Sequence, residues 1–153
     1  MSVRLEVSRP IRAGLQSVWD VVVDWRGQYR WVPMTQVRAT TPAEAGLGVR
    51  VEALSGWWLA GLPFGLLDRF IVTGWSPPVD GRAELEILHL GPYFTGEGVF
   101  TLTGDDTSTT MTCVELINVP GGPTLDPVVR LALPVMRAGF GFSLGKLAAL
   151  VES

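Results

Sequence analysis

The sequence predicts an α+β fold with about seven antiparallel strands, two short helices after the first strand and a long C-terminal helix. Three observations predict it. Apolar and polar residues alternate near the N-terminus, apolar residues recur at three- and four-residue spacing in two segments, and short β-prone runs separated by turn residues fill the chain between them. The 153 residues contain no linker and no internal repeat. We therefore expect one domain over residues 1–153.

The N-terminal elements follow from hydrophobic spacing. Residues 3–7 alternate between apolar and polar side chains, which predicts a half-buried strand that ends near Pro10. Residues 15–25 carry apolar side chains at helical spacing, which predicts an amphipathic helix closed by a glycine. A short second helix or turn over residues 28–31 precedes Pro33.

The remaining elements are predicted from changes in the spacing of apolar residues along the chain. Six further runs predict six strands, over residues 35–41, 48–54, 68–75, 83–90, 94–103 and 108–119. The connections between them are turn-like, and the tight ones predict antiparallel neighbours. Residues 124–151 have helical spacing and predict one long helix that Pro134 and three glycines bend or loosen.

Composition excludes several functions. The chain has 12 Lys and Arg against 15 Asp and Glu, a net charge of -3, and no segment concentrates basic residues. Binding to nucleic acid depends on basic side chains against phosphates, so we expect no nucleic-acid partner. His89 is the one histidine and Cys113 the one cysteine, too few for a zinc or iron site, so we expect no metal and no cofactor.

Location is predicted from the N-terminus and the apolar runs. The first residues carry charge and no apolar core of a signal peptide follows them, which together with the single cysteine predicts a cytoplasmic protein. The longest uncharged run, residues 53–67, is interrupted by glycines and by Pro63. It is too short and too irregular to span a bilayer, so we expect no integral membrane association.

The order of elements and the segments VSRPIRA, VWDVVVDW, RWVP, VTGWSPP and GEGVFTL resemble the START-like superfamily, also called SRPBCC or birch-pollen-allergen-like. They look most like its bacterial polyketide cyclase/dehydrase-like branch. The resemblance implies a helix-grip fold, in which a curved antiparallel sheet wraps around the long C-terminal helix. It also implies binding of hydrophobic small molecules, or cyclase or dehydratase activity, and it supplies no fixed catalytic signature.

Hairpin turns predict which residues share the inner face of the sheet. We assume four-residue turns over residues 91–94 and 104–107. The resulting registers pair His89 with Gly96, Ile87 with Gly98, Leu85 with Phe100, Phe100 with Met111, Gly98 with Cys113, and Gly96 with Glu115.

One polar row, formed by His89, Gly96 and Glu115, then interrupts this apolar face. The backbones of His89 and Glu115 would lie about 10 Å apart, and the glycine between them leaves a gap that two long side chains can span. His89 and Glu115 are therefore our candidate catalytic residues, as an acid/base pair or as a polar anchor in an apolar pocket. Alternatively, solvent and backbone satisfy both groups near the end of the sheet.

The last helix predicts the opposite wall. Its inward side would carry small residues, namely Val128, Ala132, Val135, Gly139 and Ser143, with Met136, Phe140 and Phe142 flanking them. Small residues that face glycines leave either a cavity or a close helix–sheet contact. Trp31 and Tyr93 lie where a pocket mouth would be. The candidate ligand-binding residues are thus Trp31, Leu85, Ile87, His89, Tyr93, Gly96, Gly98, Phe100, Met111, Cys113, Glu115, Met136, Gly139, Phe140 and Ser143.

The apolar run over residues 57–67 exceeds what one strand can bury. It could form a flap over the pocket, a dimer surface or a membrane-surface loop. It has no basic residue to attract anionic lipid, so we favour a flap together with a homodimer contact. The residues of that contact would be Trp57, Trp58, Leu62 and Phe64.

The sequence therefore favours a protein that binds a small hydrophobic molecule, lipid- or polyketide-like, between the sheet and the last helix. One alternative is a cyclase or dehydratase that uses His89 and Glu115 to exchange protons on a polyketide-like substrate. The other alternative is a homodimeric interaction module built on the apolar run. Few ionisable residues fall on the predicted inner face, which argues against the enzyme.

Overall fold

One seven-stranded antiparallel sheet and one long helix form the fold. The computed structural model describes residues 2–59 and 61–152, except the side chains of residues 57–59, Leu62, Pro63 and Pro123. The strands are β1 (Ser2–Ile11), β2 (Thr35–Ala39), β3 (Arg50–Leu59), β4 (Leu62–Val79), β5 (Arg82–Leu90), β6 (Thr95–Gly104) and β7 (Thr109–Asn118). The helices are α1 (Leu15–Val22), α2 (Asp126–Val151) and two 3₁₀ helices, Trp25–Arg30 and Gly122–Leu125. The strand order is β1-β7-β6-β5-β4-β3-β2, so the predicted α+β class is confirmed.

Helix α1 is shorter than its apolar spacing predicts. It ends at Val22, and the second helix begins earlier than expected because Asp24 caps the 3₁₀ helix by accepting a hydrogen bond from the Gly27 backbone N–H at 3.1 Å. The start of α1 has no side-chain cap. Instead the Leu15 N–H donates to the Asp105 carbonyl at 2.9 Å, which ties α1 to the loop after β6.

The apolar run belongs to regular structure. The β3–β4 ladder continues to the backbone pair Leu59 and Leu62, so the run forms the end of a long hairpin. The side chains of Trp57, Trp58 and Leu62 lie outside the described residues, while Phe64 is exposed. A homodimer through this run stays a prediction.

Strand β4 reaches β5 through a tight turn and two irregularities. Asp80 and Gly81 form the turn with left-handed φ angles of 50° and 76°, the conformation that Asp-Gly favours in two-residue hairpin loops. The register then shifts between Val72 and Gly74 and again between Ser76 and Val79. Each bulge moves the residues that follow it to the opposite face of the sheet. The second bulge therefore restores the alternation that the first one reversed.

The predicted β5–β6 register is correct, whereas the predicted β6–β7 register is wrong by two residues. Glu115 pairs with Gly98 rather than Gly96, Cys113 with Phe100, and Met111 with Leu102. The strands continue to the pair Gly104 and Thr109, since Asp105 organises a later loop by accepting the backbone N–H groups of Thr107 and Ser108. A shift of two residues keeps every side chain on its predicted face.

Helix α2 is continuous through Pro134, and its predicted inward face is correct at Gly139 and Ser143 but wrong at Val128 and Val135. Val128 and Val135 are exposed, and the inward residues are Met136, Phe140, Ser143, Leu144 and Leu147. The prediction chose the side with the smallest residues. The rotation of the helix is instead set where it is buried, at Ser143, Leu144, Leu147 and Ala148.

Helix α2 is also long and apolar enough to span a membrane, judged by length and composition alone. One such helix is weak evidence for a membrane span, and 6% of its apolar stretch is buried within the domain. The buried residues near its C-terminus pack into the core of the domain.

Candidate functional site

A cavity of about 510 Å³ lies between the inner face of the sheet and α2. The first 3₁₀ helix and β2 complete its wall. Its lining is mainly apolar, from residues such as Val22, Trp25, Phe70, Leu85 and Phe100. The residues that are buried around it form one core with α1 and the end of α2. Of the two alternatives that the sequence left open, a cavity or close helix–sheet packing, the structure has a cavity.

His89 lies in the cavity wall between two carboxylates. Its Nδ1 atom is 2.9 Å from both oxygens of Asp68, and its Nε2 atom is 3.1 Å from Oε2 of Glu115. The three side chains come from three strands, β4, β5 and β7. His89 and Glu115 are 7% and 4% exposed, so this is a buried charge cluster.

Gly98 makes room for this contact across β6. It lies opposite Glu115 in the ladder, and a Cβ atom there would come within 2.9 Å of both Glu115 carboxylate oxygens. Without a side chain at Gly98, the Glu115 carboxylate passes over β6 and reaches His89. The gap that the sequence predicted is real, although a different glycine provides it.

The charges of the cluster follow from these contacts. Burial alone would lower the pKa of His89, but the hydrogen bonds and negative charges of Asp68 and Glu115 outweigh it and raise the pKa to about 9. His89 is therefore an imidazolium at neutral pH, and each ring N–H donates to a carboxylate. Burial raises the pKa of Glu115, with the nearby Asp68 charge adding to the effect and His89 opposing it.

Aromatic rings enclose the imidazolium. The rings of Phe70 and Phe94 have centroids 5.9 Å and 5.0 Å from that of His89. The planes of Phe70 and Phe94 are inclined to the imidazole plane by 66° and 54°, so both contacts are edge-type or tilted ring contacts. Elsewhere in the wall, the indole N–H of Trp31 is buried and has no hydrogen-bond partner among the described residues.

The sequence and the whole fold were compared with those of known proteins. No family model matches the sequence, and no curated protein sequence matches it. TTHA0849 from Thermus thermophilus has a TM-score of 0.74 at 14% identity, with 97% of each chain covered. Zhui aromatase/cyclase from Streptomyces sp. R1128 has a TM-score of 0.72 at 16% identity, with 99% of this chain and 94% of that chain covered. A point mutant of norcoclaurine synthase from Thalictrum flavum has a TM-score of 0.63 at 10% identity, with 100% and 98% covered.

The fold is the helix-grip fold, an antiparallel sheet around a long C-terminal helix. This confirms the fold that the sequence resemblance implied. At identities this low the comparison shows the architecture alone, so the role of each residue in the helix-grip cavity must come from its own surroundings.

Most of the predicted site residues line this cavity. They are Trp31, Leu85, Ile87, His89, Phe100, Cys113, Glu115, Met136, Gly139, Phe140 and Ser143. Whether they contact a ligand stays a prediction. Burial and the nearby Glu115 charge raise the pKa of the Cys113 thiol well above its ordinary value, so Cys113 is a neutral wall residue.

Four predicted residues lie outside the cavity wall. Tyr93 is 53% exposed, because the turn before β6 directs the next residue, Phe94, inward instead. Met111 is buried in the core opposite Leu102. Gly98 lies beneath Glu115, and Gly96 is required by the backbone, since a Cβ atom at its φ of +139° would collide with the Leu116 carbonyl.

Asp68 and Phe94 are the important residues that sequence reasoning missed. Asp68 reaches the His89 ring only because the two bulges in β4 place Phe70 opposite His89, and Asp68 lies two residues away on the same face. The available signal was the alternation along this strand, which places Asp68 on the same face as Leu66 and Phe70 and Arg69 on the other, because a charge on an apolar face usually has a buried partner.

The cluster does not resemble a metal site. Both ring nitrogens of His89 already face carboxylates, and no group of His, Cys, Asp and Glu in the described part of the chain could hold a metal ion. The chemistry available in the wall is therefore charge stabilisation, hydrogen bonding and proton exchange.

Proposed function

We propose that this protein binds a small, largely apolar molecule in the cavity between the sheet and α2. The cavity itself carries the proposal, with a volume of about 510 Å³, mainly apolar walls and a polar cluster formed by Asp68, His89 and Glu115. Ligand sites in proteins typically have this size and this combination of apolar surface with a few polar groups.

Two proteins with the same fold add support. One is an aromatase/cyclase and the other a norcoclaurine synthase. Their names associate the helix-grip fold with small-molecule chemistry, but one fold serves many functions. The proposal therefore rests on the cavity of this chain.

Native mass spectrometry and an apolar fluorophore test the proposal together. We expect N-phenyl-1-naphthylamine, a neutral probe, to bind one site per chain with increased fluorescence. We also expect a molecule that co-purifies with the protein to leave when the probe is added. A protein that carries no small molecule and gives no probe fluorescence would contradict the proposal.

A second candidate function is acid/base catalysis on a polyketide-like substrate, as in a cyclase or dehydratase. The observation that favours it is the buried charge cluster in an apolar wall, since perturbed groups of this kind often serve in catalysis. Glu115 would be the catalytic base, because burial raises the pKa of its carboxyl group and so makes the carboxylate a better proton acceptor. His89 uses both N–H groups on carboxylates, so it would position and stabilise Glu115.

Dehydration of a β-hydroxyketone tests this second function. We expect Glu115→Gln to abolish turnover while probe binding persists, since the amide keeps the shape of the side chain and cannot exchange the proton. We expect Asp68→Asn to keep some turnover with a shifted pH profile. Turnover by Glu115→Gln at the rate of the unmodified protein would contradict the scheme.

A further inference from the structure

We infer that the cavity selects ligands whose polar end donates hydrogen bonds and carries no negative charge, which means an alcohol, a phenol or a protonated amine. The inference rests on the proposed function, because it names the class of molecule that the same cavity would bind. Two independent observations lead to it, the charges of the wall and the hydrogen bonds already made there.

The wall contains two acids and one base. Asp68, His89 and Glu115 are the charged side chains among the described lining residues, and no Lys or Arg is present there. The imidazolium balances one carboxylate, so ionised Glu115 leaves one negative charge in excess. A ligand carboxylate or phosphate would add a further negative charge to a space of low dielectric without a cation to pair with it.

The cluster offers acceptors to a ligand. An imidazolium has two N–H groups, and those of His89 are engaged by Asp68 at 2.9 Å and by Glu115 at 3.1 Å. The two oxygens of Asp68 share one of these N–H groups. Oε1 of Glu115 accepts no hydrogen bond from the described residues. The unused capacity at this end of the cavity therefore lies on carboxylate oxygens, which require a donor.

Other polar side chains in the wall are largely satisfied. The Gln28 side chain donates to the Val22 carbonyl at 2.9 Å, and the hydroxyls of Thr35 and Ser55 bond to each other at 2.8 Å. The unpaired indole N–H of Trp31 is an uncharged donor. A hydroxyl ligand can donate to the cluster and also accept, whereas a ketone leaves the carboxylate oxygens without a donor.

Four naphthalenes that differ only in the polar group test the inference. They are 2-naphthylmethanol, 2-naphthylmethylamine, methyl 2-naphthyl ketone and 2-naphthoate, each titrated against bound N-phenyl-1-naphthylamine at pH 7. We expect the alcohol and the amine to bind about 10-fold more tightly than the ketone, and about 100-fold more tightly than the naphthoate.

Substitution of one charged residue at a time shows which carboxylate causes the selectivity for the polar group of the ligand. We expect Glu115→Gln to reduce the discrimination against naphthoate about 10-fold and to weaken binding of the amine. Glu97→Gln is the matched control, because Glu97 is exposed and lies outside the cavity wall. It makes the same change in net charge and should alter neither the affinity for naphthoate nor that for the amine.

The outcomes separate the inference from the function on which it rests. Naphthoate that binds as tightly as the alcohol would overturn the exclusion of anions, and a ketone that binds as tightly as the alcohol would overturn the need for a donor. Equal effects of Glu115→Gln and Glu97→Gln would also overturn the inference. If neither the probe nor any naphthalene binds, the proposed function itself fails.

Discussion

The two halves of α2 have different surroundings. In the second half, Leu144 and Leu147 are 1% and 0% exposed, whereas in the first half Leu131 and Val135 are 80% and 73% exposed. Around its middle, from Met136 to Leu144, the helix faces the cavity instead of packing directly on the sheet. One helix thus anchors the domain near its C-terminus, covers a cavity with its middle and exposes apolar residues in its first half, so we expect substitutions to act differently along it.

Truncation of one leucine in each half of α2 gives the largest expected difference in the free energy of unfolding. Leu147→Ala should lower the free energy of unfolding by about 2–5 kcal/mol, because it removes buried methyl groups and leaves a void. Leu131→Ala, the matched control on the exposed face, should change it by less than about 0.5 kcal/mol. Urea unfolding of both variants measures the difference. Similar losses would show that the first half is as closely packed as the second.

The charge cluster in the cavity wall should make the free energy of unfolding depend on pH. The folded-state pKa of His89 is raised from 6.5 to about 9, so its charged form stabilises the fold fully below pH 6.5, and that stabilisation is lost as the pH rises through 9. The difference is roughly 3 kcal/mol. Urea unfolding at pH 6 and pH 9.5 should show this loss in the unmodified protein relative to His89→Gln.

The single histidine allows a direct check of this dependence. The His89 Hε1 proton should titrate near pH 9 in NMR spectra, and its midpoint should fall in Asp68→Asn. A midpoint near pH 6.5 in the unmodified protein would contradict the charge cluster.

Gly98, beneath the charge cluster, and Gly139, in the cavity wall, should respond to substitution in opposite directions. Gly98→Ala places a Cβ atom 2.8 Å from Ile87 and within 2.9 Å of the Glu115 carboxylate, so we expect a loss of about 1–3 kcal/mol and a lower His89 pKa. Gly139→Ala places a Cβ atom in open space, so we expect a gain of up to about 1 kcal/mol from helix propensity. Urea unfolding and the Hε1 titration of Gly98→Ala and Gly139→Ala would show these changes. An unchanged His89 midpoint in Gly98→Ala would mean that Glu115 reaches His89 without needing that gap.

The fold could be predicted because each element carries its own local signal. The alternation at Val3, Leu5 and Val7 indicates β1, and the spacing of Leu15, Val18 and Trp19 indicates α1. The end of the β3–β4 hairpin was not predicted, because it is apolar on both faces and contains Gly and Pro, so that alternation is absent there.

Two of the three residues in the charge cluster, His89 and Glu115, could be predicted from the sequence. The contact between His89 and Glu115 survived a register error, because a shift of two residues leaves a side chain on the same face. Asp68 could not be placed by the same reasoning, since the register between β4 and β5 depends on two bulges that no local pattern indicates. The rotation of α2 was missed because burial in its second half determines it.

Binding to two α2 variants tests the central claim, that the middle of α2 covers a ligand cavity, most directly. Gly139 lines the cavity and Gly141 does not, yet a Cβ atom at either position meets nothing within 4 Å. We predict that Gly139→Leu fills the cavity and weakens binding of N-phenyl-1-naphthylamine at least about 10-fold, while Gly141→Leu binds it like the unmodified protein. Equal binding by both variants, or equal loss in both, would contradict the claim.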